Sequence, residues 1–314
     1  MYHTHNYSIT EFINVDRGVY ILGYIDLYVK PSKPLLGSIR KFDEAKYIVL
    51  GVPFDGTSTF RSGSKFTPSA LRILIDSLET YSIRSGVDLE EVMLCDIGDL
   101  NETLSVEEMV RMIKLVVSDI VGDGKIPVII GGEHTLTLGV VEAYPEIQVI
   151  FLDAHFDLRD EYLGSKLCHA TVARRILELG NVKSTLHIGV RALSKEEYLF
   201  ASSKGIPYIT TLDLKRNFSC IKSTIDSKLD RETPLYISID MDVLDPAYAP
   251  AVANPEPDGI DTGMLLDIIS YLASYKVVGL DIVEATPLYD NGLTILQASK
   301  ILVEAIGCIE AGGC

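Results

Sequence analysis

Apolar runs of strand length alternate with segments of helical period along most of the chain. Eight runs stand out, at residues 47–52, 92–97, 127–130, 147–152, 186–190, 207–209, 235–239 and 277–282. Their near-continuous apolar character is that of strands buried on both faces, not of strands with one face in water. Between them, apolar positions recur every three to four residues. Residues 110–121 form such a segment, opened by Ser105-Val-Glu-Glu108, whose serine and early acids suit a helix start. Thr67-Pro68 reads as an N-cap followed by Pro at the first helical position. Further helices are predicted at 135–143, 171–179, 195–203, 262–273 and 296–309.

This repeated βα order predicts an α/β fold, namely a single-domain, doubly wound, mainly parallel eight-stranded sheet with helices on both faces. No Pro/Gly/Ser-rich linker, charge block or fixed-period repeat divides it. Residues 47–314 are therefore read as the α/β domain, and residues 1–46 as an N-terminal segment of uncertain structure packed on it. Two stretches resist assignment. Within residues 17–41, positions 19–29 suit either a strand or a helix; residues 53–66 form a loop rich in Gly, Ser and Thr, of the kind often used as a lid.

Composition narrows the classes of function. With 314 residues and 47% hydrophobic content the chain can bury a large core. A net charge of −16 opposes nucleic acid and anionic membranes, both of which need a basic surface, and suits a small cationic substrate better. No apolar stretch approaches the roughly 20 residues of a membrane span. The start, Met1-Tyr-His-Thr-His-Asn-Tyr7, lacks a basic region followed by an apolar one, so a soluble cytoplasmic protein is expected. The five cysteines are odd in number and scattered, which predicts reduced thiols and neither a disulfide framework nor a thiolate metal site.

The candidate chemistry sits where it should in a parallel sheet, just after the apolar runs. Residues 127–130 are followed by Gly131-Gly-Glu-His134, residues 147–152 by Asp153-Ala-His-Phe-Asp157, residues 235–239 by Asp240-Met-Asp242, and residues 277–282 by Val283-Glu284. Alternation along an extended segment turns Asp153, His155 and Asp157 to one side, and likewise Asp240 and Asp242. Taken alone, acids close many strands and a histidine caps many helices. Taken together, four aspartates and two histidines converging on one place would repel strongly without cations. The number of oxygens suggests two divalent ions, and the mix of carboxylate and imidazole favours Mn²⁺. Asp245, before Pro246, reads as a turn residue bonding local backbone. His187 reads as a core or subunit-contact histidine, and His3 and His5 are expected to be disordered.

These motifs, in this order, resemble the ureohydrolases, the arginase and agmatinase family. The resemblance extends through Gly51-Val-Pro-Phe-Asp-Gly-Thr57 and Phe66-Thr-Pro-Ser-Ala-Leu-Arg72, and Asn254-Pro-Glu-Pro-Asp258 is similar to the archaeal agmatinase branch. It implies an arginase-like fold and two Mn²⁺ ions. His134, Asp153, Asp157 and Asp240 would surround one ion, and His155, Asp153, Asp240 and Asp242 the other, with Asp153 and Asp240 bridging. Glu284 would hold the guanidinium, Asp157 would pass a proton to the departing amine, and His169 would shuttle protons or position substrate. Three positions depart from the family's pattern: Glu133 stands for Asp, Thr135 for Ser, and Arg159 lies where arginases recognise the amino acid head group. Arg159 is expected either to contact substrate or to pair with Asp160 or Glu161.

The implied reaction is hydrolysis of agmatine to putrescine and urea by a homo-oligomer, a trimer or hexamer. Within the class, the alternatives are an arginase, a guanidinobutyrase or an N-substituted agmatine ureohydrolase. Outside it, a catalytically silent, metal-stabilised regulatory oligomer is the competing reading.

Overall fold

In a computed structural model, residues 23–38, 40–217 and 221–314 are described throughout, with the backbone of 12–14 and 19–21. His3, His5 and Cys220 lie outside the described residues. Strands β1 (Phe12–Asn14) and β2 (Val19–Ile21) form an antiparallel pair. The rest of the strands build one sheet: β3 (Val29–Lys30), β4 (Tyr47–Gly51), β5 (Leu94–Leu100), β6 (Ile126–Ile130), β7 (Ile147–Leu152), β8 (Val182–Val190), β9 (Tyr208–Thr210), β10 (Leu235–Asp240) and β11 (Val277–Val283). Their order is β3-β5-β4-β6-β11-β10-β7-β8-β9, parallel except for β3.

All eight expected strands are present, and the sheet has nine. The ninth, β3, pairs antiparallel with β5 through Val29 and Lys30, two residues too short to leave a hydrophobic pattern. β5 also runs further than its apolar run. It continues past Ile97 through Asp99 to Leu100, and Arg72, itself fully buried, pairs with both of its acids: Nε lies 2.7 Å from Asp96 and Nη1 2.5 Å from Asp99.

Helices cover both faces. On one side Tyr47, Val49, Ile237 and Ile239 pack with α2 (Thr67–Leu74), α9 (Thr262–Leu272) and α10 (Leu293–Ala311). On the other, Ile48, Leu50 and Phe151 pack with α3 (Val106–Gly122), α4 (Leu136–Val141) and α5 (Val172–Leu177). Alternate residues of each strand thus feed opposite layers, which is why the strands read as continuously apolar. The remaining helices are α1 (Tyr24–Tyr28), α6 (Lys195–Lys204), α7 (Thr211–Arg216) and α8 (Ile221–Lys228). α7 and α8 escaped the apolar pattern, although Thr210 and Asp213 form a capping box at the start of α7.

Two local expectations are corrected. Ser105 caps α3 by accepting from Glu108 N–H, but Thr67 does not cap α2; its hydroxyl donates to the Ala285 carbonyl. Cys308 and Cys314 form a disulfide, where reduced thiols were expected. The tail after α10 folds back and brings them together, a proximity that spacing alone does not reveal. Cys95 and Cys168 are free and buried. No helix among the described residues is long and apolar enough to cross a membrane.

Candidate metal centre and substrate pocket

β6, β11, β10 and β7 are neighbours, so the four motif-bearing strand ends lie side by side. Their registers bring the ends level: Ile282 pairs with Ile130, Asp240 with Val283, and Ile239 with Leu152. This is the switch point of the sheet. β10 and β11 are inserted between the strand series that grow outward from β6 and β7, and the loops diverge there to leave a crevice.

The turn after β6 requires glycine. A Cβ on Gly132 would lie 1.8 Å from the Phe54 carbonyl oxygen, which accepts from Glu133 N–H. The close approach aims His134 inward, and the ring is almost completely buried. Its Nδ1 lies 3.2 Å from Asp153, 3.2 Å from Asp157 and 3.4 Å from Asp240. Nε2 lies 2.9 Å from Ser238 Oγ, and that hydroxyl donates to Asp281. Ser238 must therefore accept from Nε2–H, which leaves Nδ1 bare toward the carboxylates. Asp281 is itself fully buried, is raised by that burial, and accepts from Thr137 and Tyr236 as well.

A second group adjoins the first. His155 Nδ1 lies 2.9 Å from Asp242, Asp153 accepts from His155 N–H, and Asp242 accepts from Ala154 N–H. Potential ligand atoms of His134, Asp153 and Asp240 cluster within 4.8 Å, as do those of Asp153, His155 and Asp242, so Asp153 belongs to both. Among the described residues, no Lys or Arg pairs with any of the four aspartates. Burial, with Asp242 and Asp157 beside it, pushes Asp153 up to about 7. Asp240 is raised by burial and by Asp242. Burial opposes ionisation of Asp242 too, but the His155 imidazole holds it down at about 2.

His134 Nδ1 is buried and makes no hydrogen bond, although three carboxylates face it. A bare imidazole nitrogen among acidic oxygens without a cationic side chain is a donor set for divalent cations, and oxygen-rich sets with imidazole suit Mn²⁺. The residues present therefore fit the implied ions. Asp157 and Glu284 both adopt left-handed backbone, with φ of 51° and 64°, a conformation costly for non-glycine residues and found where function demands it.

Above the aspartates opens a cavity of about 430 Å³ lined by His134, His155, Asp157, Arg159, His169, Asp240, Asp242 and Glu284, all singled out in the sequence. One Glu284 oxygen accepts from His134 N–H at 2.6 Å; the other is buried and unpartnered. Burial, then Glu133, raises Glu284 well above the usual carboxylate range. The His169 ring is held from both sides, with Nδ1 3.3 Å from Thr57 Oγ1 and Nε2 3.4 Å from Thr59 Oγ1. Thr57 in turn donates its N–H and hydroxyl to Glu133, which also accepts from Thr135. The 53–66 loop thus walls the pocket. Arg159 pairs with neither Asp160 nor Glu161. Its Nε lies 3.8 Å from Glu197 and its guanidinium 5.0 Å over the Tyr162 ring, while Asp160 pairs with Arg174 and Arg175.

Asp245 is a turn residue, accepting from Ala247 and Gly259 N–H. His187 is a core residue, stacked on Phe151 at 4.7 Å. Sequence reasoning gave no role to Thr57, Ser238, Asp281, Arg191, Glu197 or Glu256. Ser238 and Asp281 stood inside the apolar runs 235–239 and 277–282, and alternation from Asp240 would have turned Ser238 toward the same side.

The profile of the arginase family matches residues 45–308. An agmatinase of Pyrococcus horikoshii is 34% identical over 285 residues, covering 87% of this chain and 98% of that protein. An N(1)-aminopropylagmatine ureohydrolase of Thermococcus kodakarensis is 34% identical over 296 residues, covering 91% and 99%. The crystal structure of the agmatine ureohydrolase of Thermoplasma volcanium superposes with a TM-score of 0.83 at 40% identity, over 90% of this chain and 96% of that one.

Proposed function

The chain belongs to the arginase family and is a hydrolase of amidine carbon–nitrogen bonds, and from that premise we propose that it cleaves agmatine to putrescine and urea with two Mn²⁺ ions. The observation that carries this reading is the pair of His/Asp groups sharing Asp153 beneath a pocket that also presents the free oxygen of Glu284. His134, Asp153, Asp157 and Asp240 would hold one ion, and His155, Asp153, Asp240 and Asp242 the other. When bound, the pair supplies the charge that makes a water molecule acidic enough to act as a nucleophile near neutrality.

The protein's own groups do the rest. Glu284, anchored through one oxygen to His134 N–H, offers the other to the guanidinium N–H groups, a charge-assisted bond that fixes the planar cation over the aspartates. Asp157 carries a proton from the attacking water to the departing nitrogen, so guanidinium plus water yields urea plus an ammonium. His169, clamped by Thr57 and Thr59, exchanges protons between the pocket and solvent. Arg159, held by Glu197 and Tyr162, borders the substrate without reaching the carboxylate groups at the floor.

The N-substituted agmatine reading stays beside this one because of the Thermococcus relative. A silent scaffold would have no use for a buried unpartnered carboxylate oxygen facing the cavity. A cytoplasmic homo-oligomer, trimer or hexamer, completes the proposal. The test is a panel of agmatine, aminopropylagmatine, arginine and 4-guanidinobutyrate with added Mn²⁺, scored by urea. Asp153→Asn should lose bound Mn²⁺ and urea release together; full metal content with full activity would overturn the site.

A further inference from the structure

One carboxylate at the pocket has no part in the chemistry above. Glu256 lines the cavity with its side chain 42% exposed, and among the described residues the basic side chain within 4 Å of its carboxylate is His155, with Nε2 at 3.9 Å. Its backbone is held far more firmly than a solvated glutamate requires. Pro255 and Pro257 restrict the chain on either side. Arg191 donates to the Glu256 carbonyl at 2.8 and 3.3 Å and to that of Pro257 at 3.1 Å. The same guanidinium donates to the carbonyls of Asp242 at 2.7 Å, Val243 at 3.2 Å and Leu244 at 3.2 Å. Arg191 thereby ties Glu256 to the segment that carries Asp242, fixing its distance from the reaction centre.

The Arg191 guanidinium is the cation nearest Glu256, but it donates to backbone carbonyls and makes no ion pair with the Glu256 carboxylate. Arg159 is drawn to Glu197 and Tyr162. Glu197 is occupied by Leu158 N–H, Ser194 N–H and the Ser194 hydroxyl. Among the described residues, no Lys or Arg pairs with Glu256. A half-exposed carboxylate carried on a fixed backbone within the pocket attracts an ammonium and repels a carboxylate.

We propose that Glu256 determines specificity by receiving the distal ammonium of the guanidino substrate, selecting cationic tails over neutral or carboxylate ones. This rests on the reading of the pocket as a guanidine hydrolase site. A charge-assisted hydrogen bond of this kind sets the expected discrimination at about 10- to 100-fold.

The test compares agmatine with butylguanidine, which keeps the guanidinium and four-carbon chain but lacks the amine. In Glu256→Gln, the ratio of kcat/KM for agmatine to that for butylguanidine falls about 10- to 100-fold, carried by KM. An unchanged ratio overturns the proposal. So does a parallel loss on both compounds with reduced bound Mn²⁺, which would make Glu256 a support for His155. If neither compound releases urea, the hydrolase reading fails, and calorimetry of the two compounds on wild type and variant still decides whether Glu256 reads the amine.

Discussion

Ser238→Ala isolates the hydrogen bond that prepares His134. The Ser238 hydroxyl is fully buried, gives its proton to Asp281 at 2.7 Å and accepts from His134 Nε2 at 2.9 Å. Removing it leaves a buried ring N–H unsatisfied, at a cost of about 1–3 kcal/mol unless the proton moves to Nδ1. Either outcome weakens the donor that faces Asp153, Asp157 and Asp240, because a protonated Nδ1 cannot bind a cation. Losing the group that hydrogen-bonds the far nitrogen of a metal-binding histidine typically reduces metal affinity by about 10- to 100-fold, equivalent to about 1.4–2.7 kcal/mol. Mn²⁺ titration of the metal-free protein by calorimetry measures it directly. Affinity within about twofold of wild type, in a variant of unchanged fold by circular dichroism, would refute the claim that Ser238 fixes the tautomer.

Arg72 and His187 test the core. Arg72→Ala strands Asp96 and Asp99 without their guanidinium, and breaking a buried ion pair costs about 3–5 kcal/mol; urea denaturation should show it, and a loss below about 1 kcal/mol would contradict the pairing. Burial holds His187 at about 3, below the unfolded value near 6.5. The unfolded chain therefore binds more protons between those limits. His187 costs the fold nothing above pH 6.5 and about 1.4 kcal/mol per pH unit as pH falls toward 3. His187→Phe should remove that slope; identical pH dependence in both proteins would count against a buried neutral ring.

The six metal-ligand candidates were legible because each requirement is local. A strand must end in residues that leave the apolar layer, which marked Asp153, His155, Asp157, Asp240 and Asp242 by type and place; the alternation expected to turn them to one side does not hold, because Asp157 has a φ of 51° and Met241–Val243 form a 3-10 turn, and the fold brings these side chains together instead. The sheet was legible for the same reason, as strands buried on both faces have no freedom to be polar. What the sequence could not state was adjacency. That β6, β11, β10 and β7 lie together, that Ser238 accepts from His134, that Thr57 braces His169, and that Arg191 fixes Glu256 all depend on pairs far apart in the chain.

The same limit explains the errors. The strand expected at 92–97 stopped short of Asp99, which lies within β5 because Arg72 of α2 pairs with it. Cys308 and Cys314 looked unrelated until the tail turned back. Arg159, left open between substrate and a pairing with Asp160 or Glu161, pairs with neither acid and turns to Glu197 at the start of α6. Short-range pattern determined which residues could do chemistry here, because hydrophobicity and alternation are properties of a few consecutive positions. Only the tertiary fold decided which charges meet, since a charge's partner is whatever the packing brings within a few ångströms, whatever its distance in sequence.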